Sequence, residues 1–175
     1  MRAKLAAVCA VSLLVAACAT RVEVPPQDVI TGRMTVRVEP SAGEPPRTLS
    51  GAFELSGDAA RGTLSLATPL GTRLAQAQWS PRQALLRTSD GETSYPDLDA
   101  LTRELAGEAL PIAAFFDWLR GRPWPGAPSH ALAPPEVGFS QLGWQVVLAG
   151  FDRGVVAAHR DAAPAVSVRA VVERP

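Results

Sequence analysis

Residues 63–79 read Thr-Leu-Ser-Leu-Ala-Thr-Pro-Leu-Gly-Thr-Arg-Leu-Ala-Gln-Ala-Gln-Trp. From Thr63 to Thr68, Leu64 and Leu66 alternate with smaller polar neighbours. From Thr72 to Trp79, Ala75, Ala77 and Trp79 alternate with Gln76 and Gln78. A period of two is the mark of a half-buried strand. Pro69-Leu70-Gly71 lies between the two runs, and Pro and Gly are ordinary turn residues. The stretch is therefore strand, turn, strand. Leu70 is its odd member. A turn tip is wet, and a Leu left there forgoes the roughly 1.5–3 kcal/mol that burial would bring. Either Leu70 folds back onto the sheet, or it is held out for a purpose.

The same period extends outward on both sides. In Gly32–Glu39, Met34, Val36 and Val38 point one way, with Arg33, Thr35, Arg37 and Glu39 opposite. Leu49–Leu55 repeats the pattern through Leu49, Phe53 and Leu55. Pro40 to Arg47 reads as a hairpin loop between these strands, and Ser56 to Gly62 as a turn. Ala84–Ser89 is a fifth strand, ended by the turn Asp90-Gly91-Glu92. Short strands joined by turns at this spacing predict an antiparallel meander.

The period then changes. Leu98, Leu101 and Leu105 fall at helical spacing and predict a helix from about Pro96 to Ala106. Pro96 suits its first turn, Asp97 and Asp99 its positive end, and Gly107 its stop. A second helix, Pro111–Arg120, carries Ile112, Phe115, Phe116 and Leu119 on a broad apolar face, with Gly121 as its cap. Gly121–Pro135 is a proline-crowded loop. Alternation returns in Trp144, Val146 and Leu148, in Gly154–His159, and in Val166, Val168, Ala170 and Val172. Strands, helices, then strands specify an α+β domain whose helices cover one face of a curved antiparallel sheet.

The N-terminus carries a different message. Arg2 and Lys4 precede an apolar stretch, Leu5–Val15, broken only by Ser12. It is shorter than the roughly 20 residues that span a bilayer. Val15-Ala16-Ala17-Cys18 follows, the small-residue end of a secretory signal peptide. A Cys directly after two alanines resembles the bacterial lipobox, whose Cys receives a diacylglycerol and whose signal is cut just before it. The expected organisation is a signal peptide over 1–17, a lipidated N-terminus and tether over 18–30 with lipid on Cys18, and one domain over 31–175. An ordinary signal peptide with an incidental Cys is the alternative. Ala19-Thr20-Arg21 turns polar at once, against a retained membrane helix.

Composition excludes several function classes. Formal net charge is +0, and no basic tract marks a nucleic-acid partner. Cys9 falls in the signal and Cys18 carries the lipid, which leaves no thiol for catalysis or a disulfide. His130 and His159 stand alone, without metal-ligand spacing. Asp97-Leu98-Asp99 reads as acidic residues in a helix's first turn, and Glu104 with Glu108 as a solvated face. There is no Gly-x-Ser-x-Gly elbow and no phosphate-cradling loop. The sequence therefore predicts no enzyme, no cofactor and no metal.

In chain order the sequence presents Gly32-Arg33-x-x-Val36-Arg37-Val38, a Phe-bearing strand, Leu64-Ser65-Leu66-Ala67-Thr68-Pro69-Leu70-Gly71, and an Asp-Gly turn before a Leu-rich helix. A Pro-Ile helix start, Trp118-Leu119-Arg120-Gly121-Arg122-Pro123 and Gly143-Trp144 follow. From Gly32 to about Val172 this resembles the LolB family of outer-membrane lipoprotein receptors. The resemblance implies an unclosed antiparallel β-barrel with an α-helical lid over an apolar cavity. It implies a monomer, lipid-anchored in the outer membrane and facing the periplasm. Such a protein accepts lipoprotein acyl chains from the periplasmic chaperone LolA and passes them into the inner leaflet of the outer membrane. The family's exposed Leu maps onto Leu70, so Pro69, Leu70 and Gly71 become the membrane-insertion loop. Ala19 after Cys18 is not Asp, which agrees with sorting to the outer membrane.

Cavity residues would come from the helix faces of Leu101, Leu105, Phe115, Phe116 and Leu119. They would meet the sheet residues Val36, Val38, Phe53, Leu55, Leu64, Leu66, Trp144 and Val146. Each is either core packing or cavity lining. Trp118 and Trp124 either guard the rim or anchor the proline-rich loop. The 122–135 loop has no clear family pattern, and the last strand lacks a terminal aromatic. The alternative is a lipid-anchored periplasmic binding or scaffold lipoprotein of similar fold with a different hydrophobic ligand.

Overall fold

The structure is a computed structural model that describes residues 29–39 and 45–173. Cys18, the signal peptide, most of the tether and most of the Pro40–Arg47 loop lie outside the described residues.

The opening alternation forms β1 (Ile30–Glu39), with Ile30, Met34, Val36 and Val38 buried and Arg33, Thr35, Arg37 and Glu39 turned to solvent. The meander continues through β2 (Arg47–Gly57), β3 (Gly62–Ala67), β4 (Arg73–Ser80) and β5 (Gln83–Thr88). A further strand, β6 (Gly91–Tyr95), follows where the sequence predicts only a turn. Helices α1 (Leu98–Ala106) and α2 (Ile112–Trp118) come next. The chain closes with β7 (Ser129–Ala131), β8 (Gly138–Gln141), β9 (Trp144–Val147), β10 (Val155–Arg160) and β11 (Ala165–Val172).

These strands form one 11-stranded antiparallel sheet in the order β6-β5-β4-β3-β2-β1-β11-β10-β9-β8-β7. β1 is its centre, pairing with both β2 and β11, so that Val36 faces Leu49 on one side and Val168 on the other. β6 and β7 are free edges, and the barrel is unclosed. Laid flat, β1 and β6 would stand about 24 Å apart, whereas a nine-residue helix is about 13 Å long. α1 nevertheless packs against β1, β2, β5 and β6 together. The sheet curls around the helices, as the expected fold class requires.

Two helix limits differ from the sequence reading for local reasons. Asp97 lies outside α1 as its cap, accepting the Ala100 N–H at 2.8 Å, which leaves Pro96 before the helix. α1 stops at Gly107, whose φ of 83° is the left-handed conformation that favours glycine. α2 ends at Trp118, earlier than Arg120, and the next residues form a tighter turn.

The register fixes which loops share an end. β1 ends at Glu39, β3 at Ala67, β5 at Thr88, β8 at Gln141 and β10 at Arg160, all at one rim of the sheet. Leu70, Asp90 and Leu142 therefore sit on turns of the same rim. The chain enters β1 at Ile30, at the opposite rim.

The core is continuous. It joins the inward faces of the strands to Leu101, Ala106, Leu110, Ile112, Ala114, Phe115, Phe116, Trp118 and Leu119. Trp118 is its aromatic hub, with ring centroids 5.6 Å from Phe115, 6.0 Å from Trp144 and 6.5 Å from Phe139.

Candidate functional site

Leu70 is 95% exposed, the most exposed of the large apolar side chains among the described residues. It does not fold back onto the sheet. Its turn is tightly bonded. The Thr68 N–H donates to the Thr72 carbonyl at 2.8 Å, the Gly71 N–H to the Thr68 carbonyl at 2.9 Å, and the Thr72 N–H to Thr68 Oγ1 at 3.1 Å. Gly71 has a φ of 84° with open space around it, so the backbone turn itself, not crowding, calls for glycine there. The Pro69-Leu70-Gly71 tip thus holds an apolar side chain in water on a preformed support.

A second apolar feature lies inside. Between α2 and the sheet is a void of about 10 Å³, bordered only by apolar residues: Met34, Phe115, Trp118, Leu119, Val156, Ala158, Val168 and Ala170. A space of roughly 10–15 Å³ is the least that holds one water. The void is therefore a seam in the packing, not an open channel. It lies where the α2 end of the helical layer meets strands β1, β10 and β11.

The residues expected in the cavity divide accordingly. Phe115 and Leu119 border the void. Val36, Val38, Phe53, Leu55, Leu64, Leu66, Leu101, Phe116, Trp144 and Val146 are buried in the surrounding core, and Leu105 packs half-buried against it. Met34, Val156, Ala158, Val168 and Ala170 reach the void without having been singled out. Their signal was present: they hold the inward phase of β1, β10 and β11, and two of them, Ala158 and Ala170, are small enough to leave space.

Gln141 also escaped the sequence reading. It is buried on β8 and fully used. Its side-chain oxygen accepts the Trp118 Nε1–H at 2.7 Å and the Trp124 N–H at 2.9 Å. Its amide donates to the Trp124 and Ala127 carbonyls at 2.7 and 2.8 Å. Trp118 reaches Gln141 through its indole and Trp124 through its backbone N–H and carbonyl, so both are tied to the segment that holds the proline-rich loop. Leu142, next along, tips the β8–β9 turn with a φ of 54° and stands 46% exposed.

No group of His, Cys, Asp and Glu among the described residues could hold a metal ion. No helix among them is long and apolar enough to cross a membrane. What the site offers is apolar surface, one piece exposed at the rim and one lying beneath α2.

Known proteins share this chain's sequence over most of the domain. A family profile described as outer membrane lipoprotein LolB matches residues 29–164. The outer-membrane lipoprotein LolB of Bordetella petrii is 35% identical over 126 residues, covering 69% of this chain and 63% of that protein. Its counterpart in Bordetella pertussis is 31% identical over 128 residues, with the same shares. That of Cupriavidus pinatubonensis is 34% identical over 102 residues, 56% of this chain and 49% of that protein. The matched part of this chain thus spans 63% of the length of the two Bordetella relatives. With the curled, unclosed sheet, its two helices and a family match across residues 29–164, the chain belongs to the LolB family of outer-membrane lipoproteins.

Proposed function

We propose that this protein is an outer-membrane lipoprotein receptor. It is anchored by lipid on Cys18 and faces the periplasm as a monomer. It takes lipoproteins from the chaperone LolA, holds their acyl chains beneath α2, and delivers them into the inner leaflet of the outer membrane. The observation that carries this reading is Leu70, almost wholly exposed on a hydrogen-bonded turn. An apolar side chain presented rigidly in this way is suited to enter a lipid surface, where it recovers the burial energy that water denies it.

The buried seam supports the carrier part. Each CH₂ of an acyl chain gains about 0.8 kcal/mol by leaving water, so a lipoprotein crosses the periplasm only when shielded. α2 meets the sheet at the void through apolar side chains. An entering chain would replace the contacts of Phe115 and Leu119 with contacts of the same kind, and little burial is lost as α2 lifts. Transfer from LolA requires tighter binding here, with each tenfold in affinity worth about 1.4 kcal/mol. No covalent step or nucleotide is needed.

The test is a transfer assay. A soluble form beginning at Ala19 is mixed with LolA carrying a tagged lipoprotein, and the two complexes are separated. Cargo moves onto this protein if the proposal holds. The small size of the void favours a second reading, a scaffold or a carrier of another hydrophobic ligand. Cargo that stays on LolA while the domain is folded selects that reading.

A further inference from the structure

Arg160 ends β10 on the inward face, in line with Val156 and Ala158, which border the apolar void. It is a cation two strand positions beyond Ala158, which borders the apolar seam, and it ends β10 at the rim that also bears Leu70. Its guanidinium carbon lies 5.6 Å from the centroid of the Trp144 ring. Its Nη2 donates to the Pro164 carbonyl at 3.2 Å and stands 3.6 Å from Glu108 Oε1, in the connection between α1 and α2. Its Nε is buried and has no hydrogen-bond partner.

These contacts are unevenly shared. The outer end of the guanidinium has a carboxylate and a carbonyl. The Nε–H, the guanidinium donor nearest its own backbone, has nothing. A buried donor without an acceptor is costly, and more so when it is part of a charged group. Glu108 already supplies the counter-charge. What Arg160 lacks is one neutral oxygen acceptor, positioned where the seam meets the rim.

Resting on the carrier reading above, we propose that Arg160 is the polar contact for bound cargo, and that its Nε–H donates to an ester carbonyl at the head of the acyl chains. With the chains under α2, the ester groups of a diacylglyceryl cysteine lie at the mouth of the seam, beside this donor. Arg160 then distinguishes esterified acyl chains from plain hydrocarbon and sets how deep they sit. A phosphate or free carboxylate is a poorer match, because its charge would compete with Glu108 for the same cation.

The test uses the full-length chain and two dansyl-labelled lipopeptides, one bearing a diacylglyceryl cysteine and the other its dialkyl-ether counterpart without carbonyls. Binding is read by energy transfer from the tryptophans. A hydrogen bond to a charged donor corresponds to about tenfold or more in affinity, so the ester probe binds at least about tenfold more tightly than the ether probe. In Arg160→Lys and Arg160→Met, ester affinity falls to the ether level, while ether affinity stays the same. Equal binding of both probes to the unaltered protein overturns the carbonyl contact and leaves acyl binding standing; this arm needs no variant to fold. A preference retained in both variants also overturns it. Binding of neither probe overturns the carrier reading together with this one.

Discussion

The Trp118 indole Nε1–H donates to the Gln141 side-chain oxygen at 2.7 Å, joining α2 to β8 through a polar contact within an aromatic cluster. The same amide holds Trp124 and Ala127, so one side chain fixes both the inner helix and the proline-rich loop. Gln141→Leu removes the partner of two N–H donors and two carbonyls. Each buried group left unpaired costs about 1–3 kcal/mol. With partial rearrangement of the loop, stability falls by about 3 kcal/mol in urea denaturation, and amide exchange quickens across residues 121–131.

Leu70→Glu separates folding from delivery. The side chain touches almost nothing, so unfolding free energy changes by less than about 0.5 kcal/mol. Cargo is still accepted from LolA in solution. Incorporation of that cargo into liposomes drops severalfold, because a carboxylate resists entry into the apolar layer. Undiminished incorporation removes Leu70 from the delivery step.

The β8–β9 turn offers a stability gain. Gln141 pairs with Trp144, leaving Leu142-Gly143 as a two-residue tip, with φ of 54° and 76°. Hairpins of this kind favour Asn-Gly, since a left-handed conformation costs an ordinary residue roughly 1–2 kcal/mol. Leu142→Asn raises stability by about 1 kcal/mol, seen as a higher melting temperature.

Leu119→Ala enlarges the seam under α2. Large-to-small changes in a core cost about 2–5 kcal/mol, depending on how far the site collapses. At this seam the change lowers stability within that range and increases binding of a small apolar fluorophore. The same substitution at Leu55, away from the void, destabilises without the added binding.

Much of this fold was legible because one face of the sheet is buried. β1, β2, β4 and β11 read clearly, since their inward apolar residues alternate with mostly polar outward ones, Leu74 and Val171 being the apolar exceptions. β6 was missed for the converse reason: Gly91, Glu92, Thr93 and Ser94 are all exposed on a free edge, and an edge without a buried face shows no period. β7 is likewise exposed throughout. β8 hid behind Gln141, a buried residue of polar type, which leaves Phe139 as its single apolar signal.

The site was legible in proportion to how unusual its residues are. Leu70 stood out because a Leu between Pro and Gly contradicts ordinary turn chemistry. The lining of the seam did not, because a residue facing a void and one facing a neighbour are both simply apolar. Phe115 and Phe116 are adjacent and equally buried, yet only the first borders the void. Arg160 was invisible for a related reason. At the end of a strand an Arg reads as solvated, and only the register reveals that it points inward.

The described chain enters β1 at Ile30, on the rim away from Leu70. By register, Ala67 at the end of β3 lies level with Ala52 of β2 and so with Arg33 of β1, near the start of that strand. The Leu70 turn therefore stands only a few strand residues, at about 3.3 Å each, above the level at which the chain enters. Under the proposed anchoring at Cys18, a short doubling back of the leash is enough to bring the lipid and the Leu70 tip to one membrane surface.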